Sequence, residues 1–301
     1  MENNFIKIYS NFLKNKLCPQ KKIKVVFDCS NGTTGKILKN LQTEKLKAFF
    51  INVKPDGNFP EHGPNPWVKG ATDQLKKEVL RQKADLGVIF DADGDRALFI
   101  DNNGRLADPD AIANLLIWRL KPKKIIVNEI TSLLIRANKK YKIIKSQNGS
   151  YFIKKALRKT RADFGCERSG HYYFKEFFNL DSGILSAIEV VNAISKLPYK
   201  FSDYLNLIPQ YYHSGDINIK YQTLSAKYHI LLKKIKRIYK KQARNISHID
   251  GLRMDFNPPA GGWWFNLQTS NTEPLIRLNI EAEDQKILEK KKKELIKLLK
   301  N

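Results

Sequence analysis

Residues 86–101 read LGVIFDADGDRALFID. The run Leu86–Phe90 is apolar throughout, which fits a strand buried on both faces of a parallel sheet. Three carboxylates follow at alternate positions: Asp91, Asp93 and Asp95. In extended chain alternate side chains project the same way, so the three can converge on one hard cation. Donors that are all oxygen suit Mg²⁺ or Ca²⁺ rather than zinc. An EF-hand opens with the same spacing but needs Gly at its sixth position and Glu at its twelfth. Arg96 and Asn102 stand there, and no helical pattern precedes the loop. Ligands of open α/β sheets gather at the carboxyl ends of strands, which is where this loop falls.

The surrounding sequence keeps the same grammar. Ile23–Phe27 and Ala48–Val53 read as strands, and Thr34–Leu41 and Thr72–Lys83 as helices. Between them lies the Pro/Gly loop from Pro55 to Trp67. This order predicts a doubly wound, mostly parallel sheet. The alternation restarts near Lys121-Pro122, with strands at Ile125–Val127 and Lys142–Ile144 and helices at Ser132–Lys139 and Tyr151–Lys159. A long helix runs to Lys196, with Asp181 read as its N-cap. After Pro209 the grammar changes. A strand at Asp216–Tyr221, a helix at Thr223–Lys241, three strands near 252–256, 263–267 and 275–280 and a helix from Asp284 predict a small α+β domain. The expected fold class is therefore α/β. Two consecutive three-layer α/β domains, residues 1–120 and 121–210, precede a smaller α+β domain, residues 211–301.

The chain has 301 residues, 42% of them hydrophobic, enough for several cores. No stretch approaches the ~18 apolar residues of a membrane helix, and the N-terminus lacks a signal-peptide core. A cytoplasmic location is expected. Cys18, Cys29 and Cys166 form no C-x-x-C pair and are odd in number, which argues against a disulfide framework or a zinc site. The formal net charge is +24. Nucleic-acid binding is one reading of it. Bulk composition is the preferred one: only 12 of 54 basic residues are Arg, and the lysines are scattered along helices as solvated faces.

Two further loops could carry chemistry. Gly165–Tyr172 reads GCERSGHY. Its Glu167, Ser169 and His171 hydrogen-bond well, and Gly170 permits close backbone approach. The set suits sugar hydroxyls; His171 is either a general base or a satisfied half-buried histidine. Ser270-Asn271-Thr272-Glu273-Pro274 lies between two strands. Small hydroxyl and amide residues there can present donors to a phosphate, with Arg277 the nearest cation, or they can form an ordinary hairpin turn. Trp263 and Trp264 could stack on bases, but alternation in a strand favours core packing.

Taken together, the three loops resemble the α-D-phosphohexomutase superfamily, and within it the phosphomannomutase/phosphoglucomutase type. The family's metal loop DGDGDR is matched by DADGDR at 91–96. Its sugar loop E-x-S-G-H is matched at 167–171, and its phosphate loop R-x-S-N-T-E-P at 268–274 with Gln268 in place of Arg. The segments PDGNFPEHGPNP and VVFDCSNGTTG are also similar to family segments, so the resemblance covers nearly the whole chain. It implies Mg²⁺ on Asp91, Asp93 and Asp95, with Arg96 an active-site cation. It also implies sugar contacts from Glu167, Ser169 and His171, and phosphate contacts from Ser270, Asn271, Thr272 and Arg277. The implied activity is intramolecular phosphotransfer on mannose or glucose 1- and 6-phosphates by way of a phosphoserine. The family's phosphoserine loop, T-x-S-H-N-P, does not occur in these 301 residues. Residues 1–20 resemble the helix that leads out of the family's first domain. The expectation is therefore an assembly of second, third and fourth domains, without a catalytic serine and inactive alone; either a phosphoserine domain comes from another chain or the sequence is truncated. The alternative is a paralogue that holds a hexose phosphate without turnover. Gln147-Asn148-Gly149-Ser150, where the family usually has a basic residue, Gly and His, and Gln268 both weaken anion binding.

Overall fold

The computed structural model of the chain describes residues 2–41, 43–220, 225–257, 262–269 and 275–300. They form two compact units: residues 1–126, 139–143 and 154–208 in the first, residues 127–138, 144–153 and 209–301 in the second.

The first unit opens with helix α1 (Glu2–Lys16), which buries Leu13 and joins Tyr9 to Ser182 through their hydroxyls at 2.9 Å. Strand β1 (Ile23–Asp28) is apolar along most of its length because both faces are covered. A single helical turn, α2 (Gly35–Leu38), leads to β2 (Leu46–Ile51). Helix α3 (Asp73–Gln82) sets Leu75 and Val79 against Val26, Ile89 and Ile100. Its end is marked by Lys83, in the left-handed region at φ 48°. Strands β3 (Leu86–Phe90) and β4 (Ala97–Asp101) complete a sheet of order β2-β1-β3-β4. The first three strands are parallel and β4 is antiparallel to β3. The aspartate loop thus joins two buried neighbouring strands.

Helix α4 (Pro109–Leu120) starts with Asp108 as N-cap and proline at its first turn, and it is buried on most sides. A second sheet runs in the order β6-β5-β7-β8-β9. Its strands are β5 (Lys124–Val127), β6 (Lys142–Lys145), β7 (Phe164–Cys166), β8 (Tyr172–Phe174) and β9 (Leu180–Asp181). The short α5 (Leu133–Arg136) and α6 (Ser150–Thr160) lie between its strands in sequence. Helix α7 (Gly183–Lys196) is buried from Gly183 to Ser195, and α8 (Phe201–Leu207) follows.

In the second unit β10 (Tyr212–His213), β11 (Ile217–Lys220), β12 (Asn245–Ser247), β13 (Leu252–Phe256), β14 (Trp263–Thr269) and β15 (Leu275–Ala282) build one antiparallel sheet. Its order is β10-β15-β14-β13-β12, with β11 also on β15. Alternation divides its faces. Leu252, Met254, Trp263, Phe265, Leu278 and Ile280 form one core with α9 (Ser225–Tyr239) and α10 (Gln285–Lys300). The opposite face carries Arg253, Trp264, Asn266, Gln268, Arg277, Asn279 and Glu281.

Three expectations, for one helix, one strand and one helix cap, are corrected, and the core packing favoured for the tryptophans holds. Thr34–Leu41 holds one turn of helix, Gly35–Leu38, and the second strand is Leu46–Ile51. The N-cap of α7 is Ser182, whose Oγ accepts from Leu185 N at 3.1 Å, while Asp181 ends β9. The Asp181 side chain is engaged instead by Lys154 and His171. Trp263 stacks on Phe256 at 4.0 Å in the core, and Trp264 is buried on the other face, so neither is offered to a base. Among the described residues no helix is long and apolar enough to cross a membrane.

Candidate functional site

The loop 91–96 is tied back on its first aspartate. Asp91 is 2% exposed. Its Oδ1 accepts from Gly94 N and Arg96 N, both at 3.1 Å, and its Oδ2 from Arg96 Nε at 2.5 Å. Arg96 is therefore a cation of the loop itself, with Asp95 also 3.8 Å away. This folding brings one oxygen each of Asp91, Asp93 and Asp95 within 4.8 Å of one another. Asp95 Oδ1 is buried without a hydrogen-bond partner among the described residues. Burial, the Asp91 side chain and the like charges of Asp91 and Asp93 push the Asp95 carboxyl up to about 7, with His171 pulling the other way. An unpartnered oxygen among three converging carboxylates fits a divalent cation, which would neutralise their repulsion.

The sugar-loop residues are laid against this loop by backbone hydrogen bonds. Arg96 and His171 form an antiparallel bridge, and Ala97 N donates to Gly170 O at 3.1 Å. Gly183 N donates to Gly94 O at 2.9 Å. Gly170 sits at φ +96°, and a Cβ there would meet Ala97 O at 3.0 Å, so only glycine permits the approach. Within the loop Glu167 N donates to His171 O and Gly170 N to Glu167 O. The Glu167 carboxylate accepts from Tyr173 OH at 2.5 Å. Ser169 O accepts from Trp67 Nε1 at 2.8 Å, which brings the Pro/Gly loop to the same place. Arg168 reaches Asp108 Oδ2 at 3.0 Å and also binds Asp110, fastening the loop to the first turn of α4.

His171 Nδ1 lies 2.9 Å from Asp181 Oδ2, and Lys154 Nζ lies 2.9 Å from Asp181 Oδ1. Burial opposes protonation of His171, but the carboxylates of Asp181, Asp95 and Glu167 outweigh it and raise its pKa. Burial likewise opposes ionisation of Asp181, yet His171 and Lys154 hold its carboxyl down at about 2. Asp95, His171 and Asp181 form a second group of close ligand atoms. Asp181 and Lys154 were missed in the sequence: they lie 10 and 17 residues from His171, and no short motif links them.

The phosphate-loop residues Ser270, Asn271 and Thr272 lie outside the described residues. Of that set Arg277 is described, on β15 of the second unit, directly across from Gln268 on β14 and Asn218 on β11. Its Nε is 3.2 Å from Asp216 Oδ2 and 3.3 Å from Asn218 Oδ1. Gln268 is 8% exposed and its Oε1 accepts from Asn148 Nδ2 at 2.6 Å. Asn148 N donates to Asp250 Oδ2 at 3.0 Å. The same unit holds a buried ionic cluster with no sequence signature. The Arg253 guanidinium lies 3.8 Å over the Trp264 ring and pairs with Asp255 at 2.7 Å. Glu281 accepts from Trp264 Nε1 and Leu133 N, both at 2.8 Å.

Comparison with known proteins accounts for both units. Residues 5–104 match the family model described as phosphoglucomutase/phosphomannomutase, alpha/beta/alpha domain II. Residues 108–211 match domain III of the same description, and residues 217–298 its C-terminal domain. The chain belongs to the phosphoglucomutase/phosphomannomutase family. A phosphomannomutase of Methanocaldococcus jannaschii is 33% identical over 98% of this chain and 65% of its own length. A crystal structure of a phosphoglucomutase/phosphomannomutase family protein from Burkholderia thailandensis superposes with a TM-score of 0.84 at 24% identity, over 98% of this chain and 64% of that one. An N-acetylphosphoglucosamine mutase of Aspergillus fumigatus, solved with GlcNAc-6P and magnesium, has a TM-score of 0.64 at 16% identity, over 96% of this chain and 68% of that one. The last two likenesses show the fold. This chain spans less than two thirds of the length of the curated relatives it matches.

Proposed function

We propose that these 301 residues bind a hexose phosphate and supply the metal-, sugar- and phosphate-holding parts of a phosphohexomutase. The observation that carries the reading is the Arg96–His171 bridge, which joins three converging carboxylates and the Glu167–His171 loop into one structure. Asp91, Asp93 and Asp95 would hold Mg²⁺, which when bound supplies charge neutralisation as a P–O bond breaks. Glu167 and Ser169 hold sugar hydroxyls. His171, whose Nδ1 lies 2.9 Å from Asp181 Oδ2, exchanges a proton with a sugar hydroxyl. Ser270, Asn271, Thr272 and Arg277 hold the phosphate that does not react. The phosphoryl group itself comes from a phosphoserine on polypeptide beyond these residues, because none of their serines lies in a T-x-S-H-N-P sequence. A cytoplasmic role in carbohydrate metabolism is part of the same proposal. The residues alone bind without turnover.

The test is isothermal titration of the 301-residue protein with glucose 6-phosphate and with inorganic phosphate. Glu167→Gln weakens the sugar phosphate about tenfold and leaves inorganic phosphate nearly untouched. Equal losses for both ligands would contradict the division between sugar and phosphate contacts.

A further inference from the structure

Two departures from the family pattern, Gln268 for arginine and Asn148 in the segment 147–150, lie 120 residues apart in sequence and are bonded to each other. Asn148 Nδ2 donates to Gln268 Oε1 at 2.6 Å. Asp250 accepts from Asn148 N at 3.0 Å. Gly251, at φ +82°, is pressed so close to the Leu267–Gln268 backbone that a Cβ would come within 2.9 Å of Gln268 Cα. The amide pair itself is neutral, and Arg277, across the sheet from Gln268, is engaged by Asp216 and Asn218. A backbone N–H that could take a phosphate oxygen is taken by a carboxylate, and the amide of Asn148 is spent on its neighbour.

One atom of the corner is left over. Asn148 Oδ1 is buried and has no hydrogen-bond partner among the described residues. It is an acceptor and needs a donor. The dianionic ester group of a hexose phosphate offers acceptors only; its sugar hydroxyls each offer a proton. We propose that Asn148 and Gln268 form a neutral specificity pair that reads a hydroxyl of the ligand, in place of the arginine that would grip phosphate. The inference rests on the hexose-phosphate reading above and narrows it. Affinity at this corner comes from the sugar, so the protein separates hexose monophosphate from free phosphate more sharply than a cationic corner could.

The experiment is titration of the 301-residue protein and two variants with glucose 6-phosphate and with inorganic phosphate. Asn148→Ala removes the hydroxyl acceptor; it should weaken glucose 6-phosphate about tenfold with inorganic phosphate nearly unchanged. Gln268→Arg restores a charged fork; it should tighten inorganic phosphate about tenfold and narrow the preference for the sugar phosphate. Thermal unfolding of each variant is recorded alongside. If Gln268→Arg fails to fold, Asn148→Ala, a truncation at a half-exposed position, decides alone. Wild-type selectivity unmoved by either variant, or both ligands gaining equally from Gln268→Arg, overturns the inference and leaves the site reading standing. Wild-type protein that binds neither ligand overturns both.

Discussion

Arg96 and His171 are bridged as antiparallel partners although 75 residues separate them, and the bridge ties the Asp91–Arg96 loop to the Glu167–His171 loop. Anything that moves Gly94 or Gly170 therefore moves both sets of side chains, because Gly183 N holds Gly94 O and Ala97 N holds Gly170 O.

Asp95 has a buried oxygen with no hydrogen-bond partner among the described residues, beside two other carboxylates. The double variant Asp93→Asn/Asp95→Asn should lose Mg²⁺ binding in a calorimetric titration. Its metal-free form should melt about 2 °C higher than wild type, because the repulsion is gone. Unchanged Mg²⁺ affinity would remove these residues from the metal site.

Gly170→Ala forces a side chain into the left-handed region and against Ala97 O. The expected cost is about 1–3 kcal/mol in urea unfolding. Glucose 6-phosphate binding should fall further than stability alone accounts for, since Glu167 and Ser169 shift with the backbone. A variant as stable and as tightly bound as wild type would show that the approach is not constrained.

His62 Nε2 lies 3.2 Å from the buried carboxylate of Asp28. That hydrogen bond raises the histidine's pKa above 6.5, with burial opposing. A raised pKa means the folded state holds the proton more tightly. The pair's contribution is thus fully present below pH 6.5 and is lost as pH climbs through the raised value. His62→Gln removes this dependence. The difference in melting temperature between wild type and the variant should shrink between pH 6 and pH 9, and NMR titration should place the His62 midpoint above 6.5. A midpoint at or below that value would break the assignment.

Arg253 is fully buried, stacked on Trp264 and bonded to Asp255 and the carbonyls of Glu129 and Thr131. Arg253→Met leaves Asp255 and those carbonyls without their partner. Unfolding in urea should show a loss of about 3–5 kcal/mol. A neutral result would mean the cluster does not depend on this cation.

The first sheet was legible because β3 is a continuous apolar run and its loop has carboxylates at strand spacing. Helix α4 was not: it is buried on nearly every side, so the polar stripe that marks an amphipathic helix is missing, and only Asp108-Pro109 signals its start. Strand β4 carries no alternation for the same reason, since every one of its residues is buried. Asp181 was misread as a cap because a carboxylate before a helix usually caps it; pairing with His171 and Lys154 engages it instead. The proposed site residues of the first unit stand in short motifs. Their supports, Asp108, Asp110, Lys154 and Asp181, and the Asn148–Gln268 clasp depend on contacts distant in sequence, which no local pattern encodes.

On the proposed function, the Asp91–Asp95 loop and the Glu167–His171 loop serve one ligand. The direct measurement is the dissociation constant of glucose 6-phosphate for the 301-residue protein at increasing Mg²⁺, in wild type and in Asp93→Asn/Asp95→Asn. Binding at two parts of one site is reciprocal, and Mg²⁺ completes its shell with ligand oxygen. Mg²⁺ should tighten glucose 6-phosphate about tenfold in wild type and have no effect in the double variant. Sugar-phosphate binding that ignores Mg²⁺ in wild type would contradict it.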